Sequence, residues 1–191
     1  MVIGFALCGS FCTLDQALRE MERLMERRHT VIPIMSTAVY ETDTRFGAAA
    51  DWMARIETLC GRKPIHTLAG AEPIGPQALL DVLVIAPCTG NTLAKLAAGI
   101  ADTPVTLACK AHLRNNRPVV LGISTNDALS MAARNIGLLL SRKHMYFVPL
   151  AQDDPAGKPS SAIANLSLLP ETIDAAMEAR QLQPLLLAPG G

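Results

Sequence analysis

Aromatic side chains are scarce. Phe, Trp and Tyr make up 4% of the 191 residues, which leaves few rings on which bases or a heterocycle could stack. Charge is scarce too: 18% of residues are charged, and the 17 cations match the 17 anions. A neutral chain carries no electrostatic footprint for nucleic acid or an anionic membrane surface. No apolar run reaches the roughly 18 residues of a membrane span. The apolar start, residues 1–7, lacks a basic segment and a cleavage site and reads as a first strand. The five cysteines, at positions 8, 12, 60, 88 and 109, are odd in number and scattered. They form no disulfide framework and suit a reducing cytoplasm. With the four histidines dispersed, no cluster has the ligand spacing of a metal site. The length suits one domain and falls short of a two-domain dehydrogenase.

Half of the residues are apolar, which excludes disorder and predicts a large core. Strand-like runs alternate with helical periods, the signature of βαβ units. Residues 2–8 read as a strand, followed by a helix with Leu14, Ala17, Leu18, Met21, Leu24 and Met25 on one face. Thr13 and Gln16 suggest a capping box there. Residues 30–35 read as a second strand and 48–60 as a helix. Residues 81–86, Asp81 followed by Val82-Leu83-Val84-Ile85-Ala86, form a continuous β-branched run without alternation, as in a central strand covered on both faces. A short helix over 93–98 closes at Gly99, and an apolar segment follows over 105–113. Residues 118–123 repeat the buried-strand pattern, and the helix after it carries Leu129, Ala133, Ile136 and Leu140. A last strand is expected over 146–150, a Pro/Gly loop over 152–161 and a final helix over 168–182. The fold class is α/β: one doubly wound, mostly parallel sheet with helices on both faces, a Rossmann-like domain over residues 1–182 with a loose tail over 183–191.

In such a sheet the ligand crevice lies at the carboxyl ends of the strands. The loops to inspect there are 9–13, 35–37, 87–92 and 124–127. All are rich in small hydroxyl and amide side chains, which with the amides of a helix start can cradle a phosphate or the polar edge of a heterocycle. The same residue types are preferred helix caps, so each loop also has a purely structural reading. The G-x-G-x-x-G fingerprint is absent after the first strand, which disfavours a dinucleotide and leaves a mononucleotide open.

The run Pro87-Cys88-Thr89-Gly90-Asn91-Thr92 and the helix after it resemble the Pro-Ala-Ser-Ala-Asn-Thr signature of the FMN-binding flavoproteins, the family of cysteine decarboxylases and flavin prenyltransferases. Gly9-Ser10 resembles that family's first turn, and Ser124-Thr125-Asn126 falls where it carries its Pro-x-Met-Asn segment. The runs 44–47, 71–76, 114–129 and 152–155 are similar to one branch of the family. That branch works as the B subunit of a two-subunit oxidoreductase, whose A subunit carries the NADP-binding domain. The pair oxidises a cyclic lysine-pathway intermediate to a pyridine dicarboxylate, in the cytoplasm of the mother cell of a spore-forming bacterium. The resemblance implies FMN in this chain, homo-oligomers with sites completed by neighbours, and a small dicarboxylate substrate. Two other readings stand beside it: a flavin-dependent decarboxylase of a cysteinyl substrate, and a non-catalytic partner that stabilises the A subunit. Against the first, the register at which the decarboxylases carry a His falls on Pro73.

The resemblance implies contacts to the cofactor from Gly9, Ser10, Ser36, Thr37, Pro87, Thr89, Gly90, Asn91, Thr92, Ser124, Thr125 and Asn126. Asn91 and Asn126 are also candidates for the chemistry, since an amide both donates to and accepts from a ring edge or a carboxylate. His112 is the histidine most suited to titrate in a reaction. A dianionic substrate should prefer Arg, and Arg45, Arg114 and Arg117 are the candidates. Such basic clusters are more often solvated turns. Cys88 sits in the signature turn without a nearby base and reads as a packing residue. Asp153 and Asp154 form either an acid pair or a turn before Pro155.

Overall fold

The computed structural model describes residues 1–188. β1 (Val2–Leu7) leads through a 3-10 turn, Phe11–Thr13, into α1 (Leu14–Glu26). Leu14, Ala17, Leu18, Met21 and Leu24 face the core, as their helical spacing dictates. The expected capping box is not formed. The Thr13 hydroxyl donates instead to the Ser10 carbonyl at 2.8 Å, because the 3-10 turn already supplies the entry to the helix. β2 (Thr30–Met35) is followed by α2 (Thr37–Glu41), α3 (Ala49–Cys60) and α4 (Leu68–Ala71).

The central strand, β3 (Val82–Cys88), is buried along its whole length. It feeds α5 (Gly90–Ala98), which Gly99 ends in the left-handed conformation at φ +73°, where a Cβ would be strained. α6 (Pro104–Leu113) is fastened by a capping box between Thr103 and Thr106. Then come β4 (Val119–Thr125), α7 (Ala133–Leu140), β5 (Met145–Phe147), β6 (Leu150–Ala151), β7 (Ala162–Ala164) and α8 (Leu169–Met177).

β2, β1, β3 and β4 pair in that order, all parallel. β5 extends the parallel sheet along residues 119–121 of β4, whereas β7 runs antiparallel along Ser124 and Thr125, with β6 outside it. Alternation along the strands feeds two cores. Ile3, Phe5 and Leu7 with Val82, Val84 and Ala86 belong to one, and Ala6 and Cys8 with Leu83, Ile85 and Cys88 to the other. Helices cover both faces, so both sets must be apolar. The chain crosses from β1 out to β2 and then back past β1 to β3, and this reversal of direction opens a crevice at the carboxyl ends of β1 and β3.

Four further expectations change. The last strand is two short ones, and β7 beyond the loop joins the sheet as well. The helix expected from Leu129 starts at Ala133, because Ser130 and Ala132 donate their amides to the Asp127 carbonyl in a turn. α8 stops at Met177, where Ala179 takes a φ of 57° and the Arg180 amide turns back to the Ala175 carbonyl. The tail expected from residue 183 is pinned: the Leu150 amide donates to the Leu185 carbonyl and the Leu187 amide to the Leu150 carbonyl, both at 3.0 Å. Its end, residues 189–191, lies outside the described residues.

Candidate functional site

A crevice of about 780 Å³ occupies the switch point. From the sequence-predicted residues, Gly9 and Ser10 line it after β1, and Thr89, Gly90 and Asn91 after β3. Ser124, Thr125 and Asn126 form its third side, at the end of β4. The Ser10 and Ser124 hydroxyls are 2.8 Å apart, joining the first and third sides above β3. The Thr125 hydroxyl donates to Asp127 Oδ1. Gly90 lies against this pair: a Cβ on it would come within 2.8 Å of both Asp127 Oδ1 and Thr125 Oγ1. Only glycine lets the β3 and β4 loops approach so closely.

α5 begins inside the crevice. Thr89 caps it by accepting from the Thr92 amide at 3.3 Å, and the Leu93 amide goes to the Thr89 carbonyl. The amides of Gly90 and Asn91 have no protein acceptor among the described residues. Free first-turn amides carry partial positive charge and suit an anion or a ring carbonyl. The Asn91 and Asn126 side chains are exposed beside them.

The remaining candidates stand elsewhere. Thr92 is buried beneath the crevice, where its hydroxyl donates to Cys8 Sγ at 3.3 Å, and Pro87 is enclosed in β3. Ser36 caps α2 by accepting from the Val39 amide at 3.4 Å, with Thr37 next to it outside the crevice walls. Arg45 flanks the mouth, its guanidinium 4.9 Å from the Phe46 ring that lines it.

His112, Arg114 and Arg117 do not reach the crevice. All three precede β4 and therefore lie towards its amino end, away from the site. His112 is fully buried, its Nε2–H donating to the Pro118 carbonyl at 3.0 Å. Burial, the largest influence, pushes its pKa down to about 4, so it is neutral and serves packing. Arg117 Nη1 donates to the Ala78 carbonyl at 2.9 Å and also to that of Leu80, fastening the turn before β3. Arg114 follows α6.

The structure adds residues that the sequence reading left in a loop. Residues 152–161 fold back as a fourth wall, held by the Leu129 amide on the Ser160 carbonyl at 3.0 Å and by Gln152 Nε2 on the Pro159 carbonyl at 2.9 Å. Ser161 Oγ donates to Asp153 Oδ1 at 2.6 Å, and Lys158 Nζ to Asp153 Oδ2 at 3.2 Å. These two bonds, the Ser161 one foremost, hold the Asp153 carboxyl below the usual carboxylate range. Lys158 is the one cation among the described residues lining the crevice, where Asp127 and Asp153 are the acids. Phe11 and Cys12 complete the near side. Cys8 and Cys88 are sealed below it, and burial pushes the Cys8 thiol up to about 11 and raises that of Cys88 far above its ordinary value. Neither is a thiolate nucleophile at neutral pH.

The sequence model of the family described as Flavoprotein matches residues 1–162. The chain belongs to this flavoprotein family. It is 48% identical to the B subunit of dipicolinate synthase of Bacillus subtilis over 185 residues, covering 97% of this chain and 92% of that one. The crystal structure of the B subunit of dipicolinate synthase from Bacillus halodurans superposes with a TM-score of 0.90 at 44% identity, over 98% of this chain and 96% of the other. A more distant likeness is to the FMN-dependent cysteine decarboxylase SpaF, with a TM-score of 0.68 at 21% identity over 94% of this chain and 97% of that one; it shows the shared fold. In this flavoprotein the signature run 87–92 forms the entry to α5, so the resemblance and the geometry meet in one turn. The decarboxylase His register, Pro73, falls in a 3-10 turn, Glu72–Ile74, outside the crevice walls.

Proposed function

We propose that this chain binds FMN in the crevice and works as the B subunit of a dipicolinate synthase, with a separate NADP-binding A subunit. The observation that carries the reading is the entry to α5, where the free amides of Gly90 and Asn91 meet the hydroxyl and amide side chains of three strand ends. This uncharged donor set fits a flavin nucleotide: amides and hydroxyls take up its phosphate and ring carbonyls without aromatic stacking. The relatives named as B subunits of dipicolinate synthase, at 48% and 44% identity over nearly the whole chain, supply the substrate. When bound, FMN supplies a two-electron acceptor for oxidation of the cyclic lysine-pathway intermediate to dipicolinate.

The chain's own residues supply binding and a proton acceptor. Asn91 and Asn126 orient the ring edge or a substrate carboxylate. Lys158, positioned by Asp153, pairs with a carboxylate of the dianionic substrate, and Arg45 stands at the mouth. Aromatisation also releases a ring proton, which needs a base. Asp153 is committed to Ser161 and Lys158, whereas Asp127 uses only Oδ1, for Thr125; its Oδ2 is the acceptor that this chain offers. Exposed Leu129, Met131 and Leu138, at 57%, 72% and 54% of their surface, support assembly with further copies or with the A subunit. The setting is the cytoplasm of the mother cell during sporulation.

Activity should be assayed for the A subunit alone, for this chain alone and for the mixture, with bound flavin measured in each. The reading expects FMN in this chain, and full dipicolinate formation only in the mixture. A colourless chain that takes up no FMN on titration, beside an A subunit fully active by itself, would overturn it and leave this protein a stabilising partner. Decarboxylation of a cysteinyl substrate by this chain alone would overturn it in favour of the SpaF-like reading.

A further inference from the structure

A second cavity, of about 340 Å³, lies at the opposite end of α5 from the crevice, among the last turns of α5 and α6 and the start of β5. Its floor is apolar. Cys109 and Met145 are buried there, with Leu96 and Leu113 beside them. Burial pushes the Cys109 thiol up to about 12, so the floor carries no charge at neutral pH.

Its rim is cationic. Lys110, Arg114 and Arg142 line it, and no carboxylate does. None of the three has an acidic partner among the described residues. Arg142 is anchored over the site: Nη1 donates to the Leu96 carbonyl at 3.2 Å and Nη2 to the Ala97 carbonyl at 3.5 Å, and its charge is felt by the Cys109 thiol. Its Nε–H and one N–H on each terminal nitrogen have no protein acceptor among the described residues. Cations at helix ends complement the helix dipole. The α5 end already receives the Gly99 and Ile100 amides, however, and the dipole gives no reason for an apolar hollow beneath three unpaired cations.

We infer that this cavity is an accessory binding site for a compact apolar carboxylate, a ring-sized body over Cys109 and Met145 with its carboxylate against Arg142, Arg114 and Lys110. A guanidinium already fixed by backbone carbonyls loses little freedom when a carboxylate arrives. The charge pattern excludes a cation.

Benzoate is the probe and benzylamine, the same ring with the opposite charge, its control. Calorimetric titration of the full chain should show benzoate binding and no benzylamine binding. The double variant Lys110→Ala with Arg114→Ala should weaken benzoate at least about tenfold, the effect of losing one charge-assisted bond. Both residues are exposed, so an unchanged melting temperature should show that the variant folds. Lys158→Ala, in the crevice, should leave benzoate binding as it is, whatever it does to catalysis. The inference is overturned if benzoate does not bind, if benzylamine binds as well, if the double variant keeps its affinity, or if Lys158→Ala abolishes the signal.

Discussion

Ser10 Oγ and Ser124 Oγ lie 2.8 Å apart, a hydroxyl pair that bridges the loop after β1 and the last residues of β4 over the end of β3. Each hydroxyl is both donor and acceptor, so the pair can lock the crevice or turn towards a ligand. Ser10→Ala and Ser124→Ala should each weaken FMN retention. Because they share one bond, the double variant should lose less than the sum of the singles. Stability should fall by about 1 kcal/mol or less in each. Flavin titration and urea unfolding check this, and strictly additive losses in flavin affinity would contradict a shared role.

Lys158 is the residue to test for substrate charge. Lys158→Ala should raise the KM for the dianionic substrate by about tenfold, as expected for one lost carboxylate contact. Bound flavin should stay unchanged, and Lys158→Arg should restore much of the loss. Steady-state kinetics of the mixed subunits, with flavin absorbance alongside, separates this from a folding defect. An unchanged KM would remove Lys158 from the site.

The buried His112 gives a pH dependence of stability. Its folded pKa, near 4, lies below the unfolded value of about 6.5, so the unfolded chain binds the extra proton between these values. Stability should therefore fall as pH drops from 6.5 towards 4, by at most ~1.4 kcal/mol per pH unit from this group. His112→Gln should lose stability at pH 7 yet flatten that slope. Urea unfolding at several pH values tests it, and an equal slope in the variant would refute the assignment.

Thiol reactivity should follow burial. Cys12 is exposed and Cys60 half-buried, whereas Cys8, Cys88 and Cys109 are buried. A disulfide reagent at neutral pH should label Cys12 quickly and Cys60 slowly, the latter's thiol being pushed up to about 11 by burial. Cys8 and Cys88 should react only on unfolding, and Cys109, on the floor of the second cavity with its thiol pushed up to about 12 by burial, far more slowly than Cys12. Rapid labelling of Cys88 in native protein would reopen a nucleophilic role for the signature turn.

What could be read from the sequence follows the range of the forces involved. β1, β3 and β4 were legible because burial on both faces forces unbroken apolar runs, and the loops after them were legible because a parallel sheet puts its site at carboxyl ends. Asn91, Asn126, Ser10 and Ser124 follow from that rule. His112, Arg114 and Arg117 were drawn in by their chemistry alone, although residues just before β4 must sit at its amino end. Lys158 had no local signal. Its place depends on β7 pairing antiparallel with the far end of β4, a contact between segments distant in sequence and set by packing.

The margins of the sheet have a consequence for association. Beyond β2, Ile65 donates its amide to the Pro33 carbonyl at 2.9 Å and accepts that of Met35 at 2.8 Å, and Pro33 itself has no N–H to offer. Beyond β6, Leu185 and Leu187 occupy the backbone groups of Leu150. A free strand edge is a template on which another chain can add its own strand, and here parts of the β2 and β6 edges are already engaged by coil. At these two edges strand addition is thereby disfavoured, which leaves side-chain surfaces, such as the exposed leucines and methionine around α7, as the faces for association.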